Sequence, residues 1–527
     1  LQIAWSFCSM NAYKFRNNDE IGKLEAETDS YLDACFYESN VFKGIVNFDS
    51  TEKNPDFTRR IIVGRTGSGK SALLKKILDK GNIKLHDTIE AENTIFEHIN
   101  NNVFISDLIS KGIDLRGFYK SLWLHVLLMK VIPAVYRSSY QSFFEEIKDL
   151  IGGKKKPYKP EVANDYIEQF KENFFNDKAL IEISNKLESD LSFKLGNSAV
   201  GVGGKISNSD TAKIQSETSS YVSRELLFKQ KELIKILKEE FADSNQVRIV
   251  ISIDDLDKSW LSTSAIRYDF INALLEAFRE LLDIKSVKVL ISIRTDILMG
   301  IYKSSLRQDE KDQSLIYSIS WNKTEIREII DARINHLVKN RYQSNKSVLM
   351  KDIFNFTVEG IGADDYILDR TMLRPRDAIN FVNICLSECD GMVNMNENIV
   401  LIAEEKFYSS RKRALVTEWK SIYPFIEEYL DVLSLISFSD FTVSNIGQAV
   451  KDDISQHLLD RLTVVKEDDQ HTKILMNFEE LLKVWFVVGV VGIRKTASLI
   501  IYSSFDKPNL DITDMKRDFV IHPLFDR

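Results

Sequence analysis

The stretch Gly64-Arg65-Thr66-Gly67-Ser68-Gly69-Lys70-Ser71 constrains this chain more than any other. It follows Arg60-Ile61-Ile62-Val63, a predicted buried strand, and precedes Ala72 to Leu78, whose apolar positions recur at helical spacing. Strand, glycine loop and helix in that order make the pattern a phosphate-binding loop. The residue types follow from the chemistry. Gly64, Gly67 and Gly69 lack a Cβ, so the backbone can take positive φ and turn its N–H groups onto a β-phosphate at a helix N-terminus. Lys70 is then placed to reach the β- and γ-phosphates, and the Ser71 hydroxyl to ligate Mg²⁺. Arg65, Thr66, Ser68 and Ala72 complete the predicted cradle.

At 527 residues the chain exceeds one hydrophobic core and is expected to hold three or four units. A hydrophobic share of 44% with 28% charged residues excludes wholesale disorder, and the net charge of −8 confines any nucleic-acid contact to a local face. Cys8, Cys35, Cys385 and Cys389 form no CxxC pair and have no histidine at ligand spacing, which argues against a zinc site and a disulfide framework. Cys385 and Cys389 share a predicted helix face and read as core thiols. The longest apolar runs, Val484 to Ile493 and Trp123 to Tyr136, are too short or too interrupted to span a bilayer, so a cytoplasmic location without membrane contact is expected. Leu1 to Ser9 lack a basic region and a cleavage pattern, and Met10 is a candidate start.

A second motif supplies carboxylates. Val247 to Ile253 is a β-branched run suited to a central parallel strand, and it ends in Asp254-Asp255-Leu256-Asp257. Ligands in open α/β sheets sit at the carboxyl ends of strands, so Asp254 is the predicted Mg²⁺ ligand and Asp255 the group that polarises an attacking water. Asp257 is either functional or, like Ser259, a helix N-cap. A third strand, Val287 to Ile293, ends in Arg294-Thr295-Asp296. In P-loop ATPases with a strand between those of the two motifs, a residue here senses the γ-phosphate. Arg294 either does so or pairs with Asp296 or Asp257.

The long insertion between the motifs, about 100–245, contains an amphipathic helix around Phe118 to Val131, a basic loop at Lys154-Lys155-Lys156, an alternating stretch Phe193 to Ile206 predicted as a flat hairpin, and a helix Glu217 to Phe241. Such an insertion suits a partner surface or self-association. Residues 321–340 form a predicted amphipathic helix, and Arg374-Pro375-Arg376 open another running to Glu388. A bidentate, always-charged guanidinium suits spread phosphate charge, so Arg374 and Arg376 are candidates to reach the γ-phosphate from a helical lid. They could instead act in trans in an oligomer or pair with Asp364, Asp365 and Asp369. Helix Phe478 to Val488, strand Ala497 to Ser503 and the returning Phe519 to Pro523 suggest a winged helix, with His522 structural. The fold class is therefore α/β: a P-loop NTPase core at 58–300 with a parallel sheet and a large α/β insertion, after an N-terminal segment (1–57), with a helical lid (301–405) and a C-terminal winged-helix-like domain (406–527).

Taken together, IGKLEAETDSYLDACF, GRTGSGKSALL, ISIDDLDKSW, ISIRTDIL, LRPRDAINFVN, YSSRKRALVTEW and FVIHPLF resemble a family of bacterial P-loop ATPases. These are related to the KAP and STAND NTPases of the additional-strand division, and many occur in anti-phage defence islands. The resemblance runs from about residue 21 to the end, specific in motif order and weaker across the insertion. It implies ATP as the nucleotide, an oligomerising or clamp-like ATPase, and a role in defence. Asp255 stands where such enzymes often carry glutamate, which suits a slow switch. The leading expectation is an ATP-hydrolysing regulatory switch, a homo-oligomer acting with a separate effector protein. The alternatives are a nucleic-acid-dependent translocase, for which neither helicase motifs nor a basic channel are visible, an ATP-bound scaffold with little turnover, and a small-molecule kinase. No nuclease, deaminase, protease or TIR-type constellation is visible.

Overall fold

A computed structural model describes residues 16, 18–46, 59–79, 83, 85–91, 95, 97–136, 149, 158–196, 207–240, 249–254, 256, 264–304, 310–461, 469–497 and 499–527. They fall into two compact units, one of Asn40–Val63 and Leu73–Tyr317, the other of Leu1–Ser39, Gly64–Ala72 and Ser318–Arg527.

The first unit is built on a five-stranded sheet of β1 (Ile61–Gly64), β2 (Leu85–Glu90), β3 (Ile249–Asp254), β4 (Val287–Arg294) and β5 (Ile316–Ser318), in the order β2-β3-β4-β1-β5. β3 pairs in parallel with β2 and β4, placing Ile249 opposite Leu85 and Val287. β3 and β4 are buried along their length except at the final acid and arginine, which is why their sequences read as continuous β-branched runs. β4 lies between β1 and β3, as expected of the strand that carries Arg294. α1 (Lys70–Leu78) leaves the loop after β1. α2 (Arg116–Tyr136) packs on α3 (Ser264–Arg279), with the buried Trp123 indole donating to Phe270 O at 3.1 Å.

Among the described residues the insertion is helical. Phe193, predicted to open a hairpin, lies in the last turn of the helix Lys178–Leu195, which ends at Gly196 with φ +86°. Ile183, Leu187 and Leu191 are fully buried at period four, and that stripe overrides the alternation that begins at Phe193. Residues 197–206 and the lysine run lie outside the described residues. The helix expected from Glu217 starts earlier, at Asn208 under a Ser207 cap, and reaches Glu240 through a π-turn at Val222–Leu227; Phe241 lies outside the described residues.

The second unit contains α4 (Lys323–Arg341), which opens with a capping box from Asn322 and Glu325. It continues with α5 (Pro375–Glu388), with proline at its first position, and α6 (Glu397–Trp419). Cys385 and Cys389 are buried here, and burial pushes the Cys389 thiol up to about 11, which suits inert core thiols. The N-terminal segment is clamped to these helices. Arg333 Nη2 meets Asp29 Oδ2 at 2.6 Å, Arg333 Nη1 donates to Ile21 O at 2.9 Å, and Asn383 exchanges hydrogen bonds with Ile21 N and Gly22 O. Gly22 has φ +125°, and a Cβ there would lie 2.0 Å from Arg333 Nη1.

Two small strands, β6 (Thr357–Val358) and β7 (Ile361–Gly362), pair antiparallel in this unit. Towards the C-terminus come β8 (Asp440–Phe441), a helix Gln448–Arg461, α7 (Phe478–Val488), β9 (Val491–Thr496), β10 (Leu499–Ile501) and β11 (Phe519–Ile521). The ribbon expected here is wider than two strands: β10-β9-β11-β8 form one sheet, with β11 antiparallel to both β9 and β8.

Candidate nucleotide-binding site

The loop between β1 and α1 is shaped by three glycines. Gly67 and Gly69 take φ +81° and +93°, and a Cβ on Gly64 would lie 2.4 Å from Ser68 Oγ. A phosphate cradle turns backbone N–H groups inward, which obliges the carbonyls to find donors elsewhere. Here every carbonyl from 64 to 68 has one. Lys70 Nζ donates to Gly64 O at 3.0 Å and Arg65 O at 3.2 Å. Arg374 Nη1 donates to Thr66 O at 3.2 Å, Arg376 N to Gly67 O at 3.3 Å, and Trp321 Nε1 to Ser68 O at 2.9 Å. The buried Thr66 Oγ1 and Ser68 Oγ find no partner among the described residues. Glycines at positive φ, two orphaned hydroxyls and a lysine at the loop mouth fit a phosphate group. Ser71 and Ala72 are half-buried at the start of α1.

The arginines divide into three situations. Arg294 is bidentate on Asp296, at 2.9 and 2.8 Å, which is the pairing its sequence position left open. Arg376 is half-buried; its Nε donates to Leu24 O at 3.0 Å, and a Cβ on Gly67 would come within 3.0 Å of its own Cβ. Arg374 is buried, and the turn before it places both Met372 and Leu373 at positive φ, 49° and 47°, a conformation that persists only where packing enforces it. Asp254 closes β3, one strand from Arg294 on β4. Asp255 and Asp257 lie outside the described residues.

Arg374 belongs to a buried ionic cluster that the residues flanking it in sequence did not announce. Its Nη1 lies 3.5 Å from Glu418 Oε2; Arg411 bridges Glu418 at 3.4 Å and Asp377 at 3.3 Å. All four side chains are at most 5% exposed. Burial lowers Arg374 to about 9 and raises Asp377. The expected pairing of Arg374 with Asp364, Asp365 or Asp369 does not form: Asp365 and Asp369 meet Lys323, and Asp364 meets Arg327.

His522 is buried nearby, its Nδ1 accepting from Leu524 N at 3.2 Å. Burial, with Arg374, Arg370 and Arg411 close by, holds it down to about 3. It is therefore neutral in the fold and binds a proton more readily once unfolded. Its share of stability is complete above the ordinary value of 6.5 and is lost as pH falls towards about 3. Each pH unit in that window is expected to cost about 1.4 kcal/mol, and His522→Gln to flatten the slope. Melting temperatures of both proteins between pH 7 and 4 check this; equal slopes would refute it.

Arg65 turns away from the cradle. Its Nη1 and Nη2 donate to Val488 O at 2.7 Å and Val487 O at 2.5 Å, and its guanidinium carbon lies 5.8 Å from the centre of the Trp419 ring. Trp321, Glu418, Arg411 and this outward link of Arg65 are the site features that motif spacing missed.

The parallel sheet, the loop after β1 and the acid that closes β3 define a P-loop NTPase fold. Residues 54–318, half of the chain, match the KAP family P-loop domain, and the chain belongs to that family. Residues 324–416 match the FunZ-associated C-terminal helical domain. No curated protein matches the chain. Among solved structures, the Aeropyrum pernix ORC2 protein in its ADPNP-ADP complexes is similar over 88% of this chain and 84% of that one, at 10% identity and a TM-score of 0.34, a level that carries no argument. Among the described residues no helix is long and apolar enough to cross a membrane, and no group of three or more His, Cys, Asp and Glu side chains could hold a metal.

Proposed function

We propose that this chain is an ATP-binding and ATP-hydrolysing regulatory switch, oligomeric and acting on a separate effector protein, with anti-phage defence as its setting. One observation carries the switch reading: the carbonyls of Thr66, Gly67 and Ser68 are held by Arg374, Arg376 and Trp321, so a change in the loop is felt by the segments that follow the core. The oligomer, effector and defence setting rest on the family resemblance alone.

In this reading Gly64 to Ala72 bind the triphosphate, and Lys70 moves from Gly64 O and Arg65 O onto the β- and γ-oxygens. Ser71 and Asp254 would hold a magnesium ion, which supplies charge neutralisation on the phosphates. Asp255 orients the attacking water. Arg376, already against Gly67, is better placed to meet phosphate charge than Arg374, whose guanidinium is engaged by Glu418. Arg294 would have to leave Asp296 to act as a sensor.

The nucleic-acid reading loses ground on α7. A helix that reads a DNA groove needs an exposed polar face, whereas Leu481, Leu482 and Val484 to Val488 are all buried and the first turn carries Glu479 and Glu480. The connection order of β8, α7, β9 and β11 supports a winged-helix-like module used for protein contact.

ATP turnover by purified protein tests the proposal. Asp255→Asn is expected to reduce it about 100-fold while leaving ATP binding within a few-fold, the usual scale for a group acting on the proton in the transition state. Unchanged turnover would remove Asp255 from the mechanism. Stimulation by DNA that fades with salt would restore the nucleic-acid reading.

A further inference from the structure

We infer that Arg65 couples phosphate occupancy of the loop to the C-terminal sheet module by capping the C-terminus of α7. This rests on the nucleotide-switch reading above and adds the route by which the signal leaves the loop.

An α-helix leaves its last four carbonyls without intrahelical partners. In α7 these belong to Trp485, Phe486, Val487 and Val488. The first two are satisfied within the chain turn: Gly489, at φ +89°, donates to Phe486 O at 2.9 Å and Val490 to Trp485 O at 3.0 Å, the paired bonds of a Schellman ending. The remaining two accept from Arg65, one from each terminal nitrogen. A cation at a helix C-terminus also meets the negative end of the macrodipole. The approach is tight, since a Cβ on Gly489 would lie 2.4 Å from Arg65 Nη1.

The grip falls on a joint. Val490 follows the cap, β9 begins at Val491, and Val490 O accepts from His522 N at 2.8 Å at the end of β11. Helix, sheet and returning strand therefore meet where Arg65 holds on. On its other side, Arg65 offers its own carbonyl to Lys70 Nζ at 3.2 Å. Lys70 must give up that bond to reach a phosphate, so one residue shares a partner with the phosphate lysine and a partner with the C-terminal module.

The consequence is reciprocal. If nucleotide shifts the equilibrium of the α7 joint, the held and released joint must bind nucleotide with affinities that differ by the same factor. The experiment is amide hydrogen exchange across 478–525 with and without ATP, ADP and a non-hydrolysable ATP analogue, alongside nucleotide titration, for the full chain and for Arg65→Ala and Gly489→Ala. In the wild type, nucleotide is expected to change protection at 485–491 and 519–522. In Arg65→Ala the nucleotide-dependent part is expected to fall about fivefold or more, with a matching change in nucleotide Kd. Gly489→Ala disturbs the same contact from the helix side without touching the loop and should reproduce the loss, with its melting temperature reporting any effect on the fold. A wild-type response that survives in both variants overturns the inference and leaves the switch reading standing, as does nucleotide binding with no change at the joint. No nucleotide binding by the wild type overturns the switch reading and this inference with it.

Discussion

Lys70→Ala is expected to lower ATP turnover at least about 100-fold, the scale seen when one preorganised donor to transition-state charge is removed. The structure adds a reason to expect a loss of binding as well. Lys70 Nζ donates to Gly64 O at 3.0 Å and to Arg65 O at 3.2 Å, the latter also accepting from Ser68 N at 3.1 Å. Alanine removes the phosphate ligand and also the two bonds by which Lys70 holds the loop carbonyls of Gly64 and Arg65. A hydrogen bond to a charged group contributes about 1.5–3 kcal/mol, so the nucleotide Kd should rise about tenfold or more. Lys70→Arg keeps the charge but not the compact head that fits between two carbonyls, and is expected to retain more binding than turnover. Parallel turnover assays and equilibrium titration separate the two losses. Turnover within a few-fold of wild type in the alanine variant would sink the assignment of this loop as a catalytic phosphate site.

The glycine loop and the strands that end in Asp254 and Arg294 were legible in the sequence because their signals are local. The glycine spacing of 64–69 and the apolar runs ending in Asp254 and Arg294 each lie within one strand–turn segment, where chain geometry alone dictates the residue types. Pro375 at the first position of α5 is equally local. What escaped lies far apart in sequence: Trp321 meets Ser68 across 253 positions, and Arg374 meets Thr66 across 308. No periodicity reports such contacts. Phe193, expected to open a hairpin, joins a helix for a different reason, since the apolar stripe of Ile183, Leu187 and Leu191 is already established when the alternation begins. One distant feature did leave a trace. Ala403, Glu404, Phe407, Arg411, Leu415 and Glu418 are all buried on α6 at helical spacing, so charged residues of both signs sit among apolar ones on the buried side of one helix. Charges placed on the buried face of a helix have to be paired, and that requirement is what points from the sequence to the cluster around Arg374.

Glu418→Ala should destabilise the folded chain by about 3–5 kcal/mol, the cost of breaking a buried ion pair by removing one partner. Glu418 Oε2 faces both Arg374 and Arg411, at 3.5 and 3.4 Å, and Asp377 is left to balance two guanidinium groups through its contact with Arg411 alone. Burial already lowers Arg374 to about 9, so without Glu418 its charge is held in a dry site by little more than Thr66 O. The distances are long for charge-assisted bonds, and the pair is accordingly a poor source of stability in its own right. Replacing both partners with apolar side chains, Arg374→Met with Glu418→Leu, is therefore expected to recover most of the loss, because no unpaired charge remains. Denaturant unfolding of the wild type, both single variants and the double variant measures the coupling between the two sites. The double variant also separates structure from sensing. If Arg374 serves only to balance the buried charges of the cluster, restored stability should bring turnover back with it; if its bond to the Thr66 carbonyl or its charge at the phosphate is needed, the protein will fold while turnover stays low. Additive single losses with no recovery in the double variant would show that Arg374 and Glu418 do not act as a pair.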